Sequence, residues 1–236
     1  MKESDLCQWF QDVAHDAGYT VYNEWGGYDQ IVVQPGGIQI GVEAKLRANV
    51  KVLHQAIRDW PLIKNYGDKP KKRVRASTHY RAVLVPKATK EFEYVASALG
   101  VMVFSQKGYG RTSWSRERFW SPPSRAPRCR WGTGIDLPPV IPDVIGGKAS
   151  PLRLTPWKIK AIRLCIRLRE KGYLTSRDFK EFKVSQQYWR VKLLKTDGKE
   201  GSYIRWIPSG NHPLPDEEHP QVTAQLREAQ AKAEDD

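Results

Sequence analysis

The chain has 236 residues, a formal net charge of +13, 40% hydrophobic and 11% aromatic residues. Such a composition excludes a disordered chain, and the length allows one ordinary domain plus a small second one. No apolar run reaches about 18 residues, and MKESDLCQWF lacks the basic-then-apolar order of a secretory leader. The expectation is therefore a protein without a membrane span. Its excess of cations points to a phosphate-rich partner, nucleic acid or an anionic surface. Cys7, Cys129 and Cys165 are odd in number and far apart, which fits reduced thiols and a cytoplasmic location. No Cys/His spacing suggests zinc, and no histidine sits in a nucleophile or metal motif.

In chain order, Leu6, Trp9, Phe10, Val13 and Ala17 recur at helical spacing after a Ser4 cap, and Gly18 stops that helix. YTVYNEW is a strand, and DQIVVQ and IQIGVEAKL form a hairpin around Pro35-Gly36-Gly37. A helix follows Asn49, with Leu53, Ala56, Ile57 and Trp60 on one side, until Pro61. YRAVLVP reads as a continuous, mainly apolar strand and so buried on both faces, and VMVFSQ as another buried strand; between them lies a helix that Thr89 caps and Gly100 ends. The order αβββαβαβ predicts an α/β fold, a mixed central sheet with helices on both faces, over residues 1–106.

Residues 107–150 are rich in Trp, Arg, Gly and Pro without a steady period, and read as an arm or linker. Residues 151–208 resume order. Thr155 caps and Gly172 stops one helix, Ser176 and Ser185 cap two short ones, and TDGKEG turns into the strand SYIRWI. Three helices and a hairpin make a winged helix-turn-helix pattern. The tail, 209–236, is acid-rich at first and then Ala/Gln/Glu-rich, and is expected to be disordered or a frayed helix.

Glu43 and Lys45 are two apart in a strand, so both project to one face. A charge pair inside an apolar strand costs desolvation unless something uses it. Register decides whether Asp29 joins them. A three-residue loop at 35–37 puts Asp29 across from Glu43, whereas a two-residue loop at Gly36-Gly37 puts it on the opposite face. Two carboxylates a strand apart make a hard-oxygen pocket for Mg²⁺ or Mn²⁺, to which the Ala44 carbonyl adds a ligand. The plainer alternative is an ion pair on an edge strand.

Asp29 followed by Glu43-Ala44-Lys45 on the next strand, in this element order, resembles the PD-(D/E)XK nuclease superfamily over roughly residues 4–105. The resemblance implies a restriction-endonuclease-like core, also similar to junction resolvases, that hydrolyses phosphodiesters to 5′-phosphate and 3′-hydroxyl ends. It assigns metal binding to Asp29 and Glu43, water activation and phosphate neutralisation to Lys45, and a place beside the site to Gln55. Tyr28 stands where the name-giving proline would be. Asp178-Phe-Lys180, Glu181-Phe-Lys183 and Asp197-Gly-Lys199 also match the short string, but lack a partner aspartate across a hairpin. Glu24, Asp5 and Asp12 are further candidate ligands, or plain surface.

Residues 151–207 hold 15 Lys and Arg against five Asp and Glu, a charge of +10. The candidate contacts are Gln186, Gln187, Tyr188, Arg190 and Lys192 on the third helix, with Lys199 and Arg205 from the wing. A second basic cluster comprises Lys71, Lys72, Arg73 and Arg75. The partner expected is DNA, although winged helices also bind protein. One site cuts one strand, so a double-strand break needs a homodimer or successive nicks. The alternative from another class is a non-catalytic DNA-binding regulator built on a nuclease-like scaffold.

Overall fold

The computed structural model describes residues 1–57, 77–107, 134–147 and 154–235. The chain divides into two compact units, Met1–Leu137 with Val144–Ser150, and Pro138–Asp143 with Pro151–Asp236.

The first unit is mixed α/β, in the predicted element order. Helix α1 (Glu3–Asp16) buries Leu6, Cys7, Phe10 and Ala14 along one stripe. It starts one residue before Ser4, and the Asp5 carboxylate rather than a serine caps it by accepting the Lys2 N–H at 2.7 Å. Strands β1 (Thr20–Asn23), β2 (Gln30–Val33) and β3 (Gln39–Ala44) pair antiparallel. Helix α2 (Val50–Ile57) then returns the chain so that β4 (Tyr80–Lys87) lies parallel to β3, and α3 (Lys90–Ala98) does the same for β5 (Met102–Lys107). Parallel neighbours require such crossovers. The sheet order is β1-β2-β3-β4-β5.

Alternation along the strands divides the core. Val32, Ile40, Val42, Ala44, Ala82 and Leu84 face α1, whereas Val83 packs against Val52, Leu53 and Ala56 of α2 and Ala96 of α3. Tyr80 through Val85 are all buried, as the apolar run predicts. Arg81 on β4 donates to the Ala56 carbonyl at 2.6 Å and so ties α2 to the sheet.

The second unit has helices α4 (Pro156–Lys171), α5 (Ser176–Glu181) and α6 (Gln186–Lys192), and the hairpin β6 (Leu194–Glu200) and β7 (Tyr203–Pro208). Thr155 accepts the Lys158 N–H at 3.2 Å and Gly172 closes α4 at φ +81°. The α5 cap is Thr175 rather than Ser176, because Asp178 accepts both the N–H and the hydroxyl of Thr175. TDGKEG is not the turn: it lies mostly within β6, with a bulge between Thr196 and Lys199, and the chain reverses at 201–202. Leu174 exchanges two 2.8 Å backbone bonds with Trp206 and extends the hairpin by one bridge. Phe179 stands edge-on to Trp189 and Trp206 in the centre of this core.

Two boundaries need correction. The tail is ordered as α7 (Pro215–Glu218) and α8 (Pro220–Asp235). Leu214, Val222 and Leu226 are buried, and the acids of α7 meet a cation of α4, Arg169 holding both Asp216 and Glu217. Residues 134–147 are likewise not a free linker. Residues 134–137 and 144–147 pack in the first unit, while in the second Gln225 brackets Ile141 with bonds of 2.8 and 3.3 Å to its N–H and carbonyl. Cys7 and Cys165 are buried free thiols. Among the described residues, no helix is long and apolar enough to cross a membrane.

Candidate active site

The hairpin adopts the three-residue loop. Gln34 donates to the Ile38 carbonyl at 2.9 Å and Gly37, at φ +79°, donates to Gln34 at 2.8 Å. Val33 pairs with Gln39 and Gln30 with Val42. One step further along this register sets Asp29 across from Glu43. The Asp29 carboxylate accepts the Ala44 N–H at 2.7 Å, which fixes its orientation just where the ladder ends. Glu43 is only 7% exposed and pairs in register with Val83, the β4 residue under α2.

Lys45 donates its backbone N–H to Leu84 at 2.9 Å, and its ammonium reaches Glu3 at 3.1 Å. Burial draws the Lys45 pKa down, but the Glu3 hydrogen bond and the charges of Asp29, Glu3 and Glu43 outweigh it and leave the pKa raised. Lys45 is therefore an ammonium at neutral pH. The same charges act on the Cys7 thiol. Burial raises its pKa, Asp29, Glu24 and Glu3 raise it further, and Lys45 opposes them. That thiol stays protonated and unreactive.

The turn carrying Asp29 is held from several sides. Glu24 adopts φ +52°, uncommon for a non-glycine, and donates its N–H to the Asp29 carbonyl at 2.9 Å. Its carboxylate accepts the Gly147 N–H at 2.9 Å. Asn23 donates to Gln11 and to the Val144 carbonyl, both at 2.8 Å, and Gln30 donates to Asn23 and to the Cys7 carbonyl. Gly146 passes so close that a Cβ there would lie 2.7 Å from the Asp29 carbonyl. Tyr28 lays its ring on Gly41, and Thr78 donates to its hydroxyl at 3.3 Å. A Cβ at Gly41 would overlap that ring and come 2.7 Å from the Thr78 hydroxyl. Gly41→Val is accordingly expected to cost about 1–3 kcal/mol of stability by displacing the Tyr28–Asp29 turn. An unchanged denaturation midpoint would contradict this packing.

The donors suit a hard divalent cation: the carboxylate of Asp29 in the turn before β2, that of Glu43 on β3, and the Ala44 carbonyl, which leaves the strand on the same side as its N–H. Among the described residues no three His, Cys, Asp or Glu side chains converge as a metal cage. An ion here would be completed by water and substrate oxygens, the habit of Mg²⁺. Gln55 lies on α2, and its buried Oε1 has no hydrogen-bond partner among the described residues. The first-helix acids Asp5 and Asp12 take surface roles. Asp5 caps α1 and Asp12 accepts from Gln8 at 2.8 Å, while Glu3, which the sequence did not single out, holds Lys45.

On the second unit, α6 turns Trp189 inward and leaves Gln187, Tyr188, Arg190, Val191 and Lys192 exposed, with Gln186 half-buried. Arg190 lies 5.5 Å above the Trp206 ring and Lys192 lies 5.7 Å from the Tyr188 ring. Gln186, Gln187 and Arg190 line an open groove of about 830 Å³ that runs along Leu194, Lys195 and Thr196 of β6. Lys199 is exposed. Arg205 is held within the hairpin, donating to the Asp197 carbonyl at 3.0 and 3.1 Å and to its carboxylate at 3.1 Å. Lys71, Lys72, Arg73 and Arg75 lie outside the described residues.

No family model, curated protein or solved structure matches this chain.

Proposed function

We propose that the chain is a metal-dependent DNA endonuclease, with a restriction-endonuclease-like first unit and a winged-helix second unit that holds the nucleic acid. The observation that carries this reading is the hairpin register that joins Asp29, through the Ala44 N–H, to the Glu43-Ala44-Lys45 stretch. Asp29, Glu43 and the Ala44 carbonyl would hold Mg²⁺ or Mn²⁺, which when bound acidifies a water and neutralises charge gathering on a phosphate. The Ala44 N–H keeps the Asp29 carboxylate aimed. Glu3, Asp29 and Glu43 keep Lys45 protonated, so its ammonium orients the attacking water and offsets phosphate charge. The Gln55 amide lies on the helix that covers this face of β4. The products expected are 5′-phosphate and 3′-hydroxyl ends. A double-strand break would take a dimer or two successive nicks.

The Lys45–Glu3 ion pair also fits a second reading, a non-catalytic DNA-binding protein in which the cluster only braces the fold. Cleavage of plasmid, branched and single-stranded DNA with Mg²⁺, Mn²⁺ or EDTA, followed by analysis of the product ends, separates the two. Cutting that needs the metal and leaves ligatable 5′-phosphates supports the nuclease.

Two further outcomes are expected. Because the Lys45 pKa is raised from 10.5, its charge is retained at every pH below that value and lost only above it. The pH–rate profile should then show no limb from Lys45 in the neutral range. A neutral limb that Lys45→Arg abolishes would make the lysine a base instead. Replacing both Arg190 and Lys192 by Gln should weaken DNA binding and flatten the slope of log K against log salt by about 1.8, if each meets one phosphate. An unchanged slope would place the DNA elsewhere.

A further inference from the structure

We propose that Trp157 and Tyr188 form a stacking platform for an unpaired base, so that the second unit takes DNA with a single-stranded segment beside its duplex. This rests on the reading that the second unit holds DNA. Trp157 sits in the first turn of α4, placed by Pro156 and the Thr155 cap. Tyr188 projects from α6, and the two rings meet edge to face with centroids 6.3 Å apart and planes at 82°. Trp157 remains 42% exposed and Tyr188 50% exposed, although Trp189, Phe179 and Trp206 alongside them are fully packed. The two rings are thus not surplus core. Their mutual contact holds each in one orientation, which lowers the entropy lost when a third ring stacks.

The surroundings favour a polyanion. The Lys192 ammonium lies by the Tyr188 ring, and Arg190 and Lys195 line the groove on the opposite flank of α6. The acids of the hairpin are already matched, Asp197 by Arg205 and Glu200 by Lys171 and Tyr173. A protein partner would be expected to bury exposed aromatics in an apolar pocket, whereas the Lys192 ammonium stands beside Tyr188. Within a duplex every base face is covered by its neighbours. Side chains on α6 such as Gln187 and Arg190 then meet base edges and phosphates, whereas an exposed ring pair finds a free face only on an unpaired base. One helix therefore presents edge-reading groups on one flank and a stacking surface on the other, an arrangement suited to a junction of single and double strand.

The test uses the full chain in EDTA, with a blunt duplex and the same duplex bearing a 3′ or 5′ overhang that contains 2-aminopurine. Wild type should bind one overhang form about tenfold more tightly than the blunt duplex and quench its 2-aminopurine. Trp157→Leu and Tyr188→Leu, which keep apolar bulk but not the ring face, should each abolish both effects, and Trp157→Phe should keep most of them. Equal affinity of wild type for all three DNAs, or a preference that survives both Leu variants, would overturn the platform. An absence of DNA binding would overturn it together with the reading beneath it. The nuclease assignment is tested separately, since Asp29→Ala should leave the overhang preference intact.

Discussion

Glu43→Gln is expected to lower metal-dependent cleavage by about 1000-fold or more without lowering DNA affinity. The substitution keeps shape and removes only a charge, at a side chain 7% exposed and next to the Ala44 N–H that holds Asp29. One carboxylate with a carbonyl is a poor match for a divalent ion, so the metal term should fail first. Glu43 is also one of the charges that raise the Lys45 pKa, and its loss weakens the hold on that proton. Single-turnover rates at saturating enzyme, beside binding measured in EDTA, isolate the chemical step. A Glu43→Gln protein that cuts at the wild-type rate would remove the carboxylate from the mechanism.

Trp189→Ala should be the most destabilising change in the second unit, by about 3–5 kcal/mol. Trp189 is fully buried and packs edge-on against Phe179 at 5.9 Å, which in turn meets Trp206 at 5.8 Å. Its removal opens a cavity beneath α6, and DNA binding should be lost with the fold of that helix. Trp189→Phe should be far milder. It keeps an aromatic ring and deletes a buried indole N–H that has no hydrogen-bond partner among the described residues. Thermal melts of the full chain check both, since the Ala variant should lower the unfolding midpoint of the second unit by more than about 10 °C. A Trp189→Ala protein that melts and binds like wild type would contradict this core.

The first unit was legible because local signals agreed. Apolar stretches in β4 and β5, the Thr89 cap and the αβββαβαβ order all point to one mixed sheet. The meeting of Asp29 and Glu43 was half legible: parity put Glu43 and Lys45 on one face, but Gly36-Gly37 allowed two loops, and only the Gln34–Ile38 bond selects between them. Glu3 was not legible. An acid in the first turn of a helix is ordinary, and its value depends on where Lys45 ends, 42 residues later. Residues 134–147 were hidden for a related reason. They are held through backbone carbonyls, a Gln39 amide pair and close-packed glycines, none of which leaves a periodic pattern. The tail reads as disorder or a frayed helix because α8 buries little besides Val222 and Leu226. Its acids looked like solvation, yet Asp216 and Glu217 answer Arg169 of α4. Arg205 has a role that its sequence context did not show. It reads as a DNA contact in a basic stretch, and within the hairpin it also holds Asp197.

The most direct measurement is nicking of supercoiled plasmid with Mg²⁺, Mn²⁺ or EDTA, wild type beside Asp29→Ala. Wild type should nick with either metal and not in EDTA, and the variant should not nick under any condition. Asp29→Ala protein that nicks at the wild-type rate, or wild type that binds DNA tightly but never cuts it, would contradict an active site at the β2–β3 hairpin.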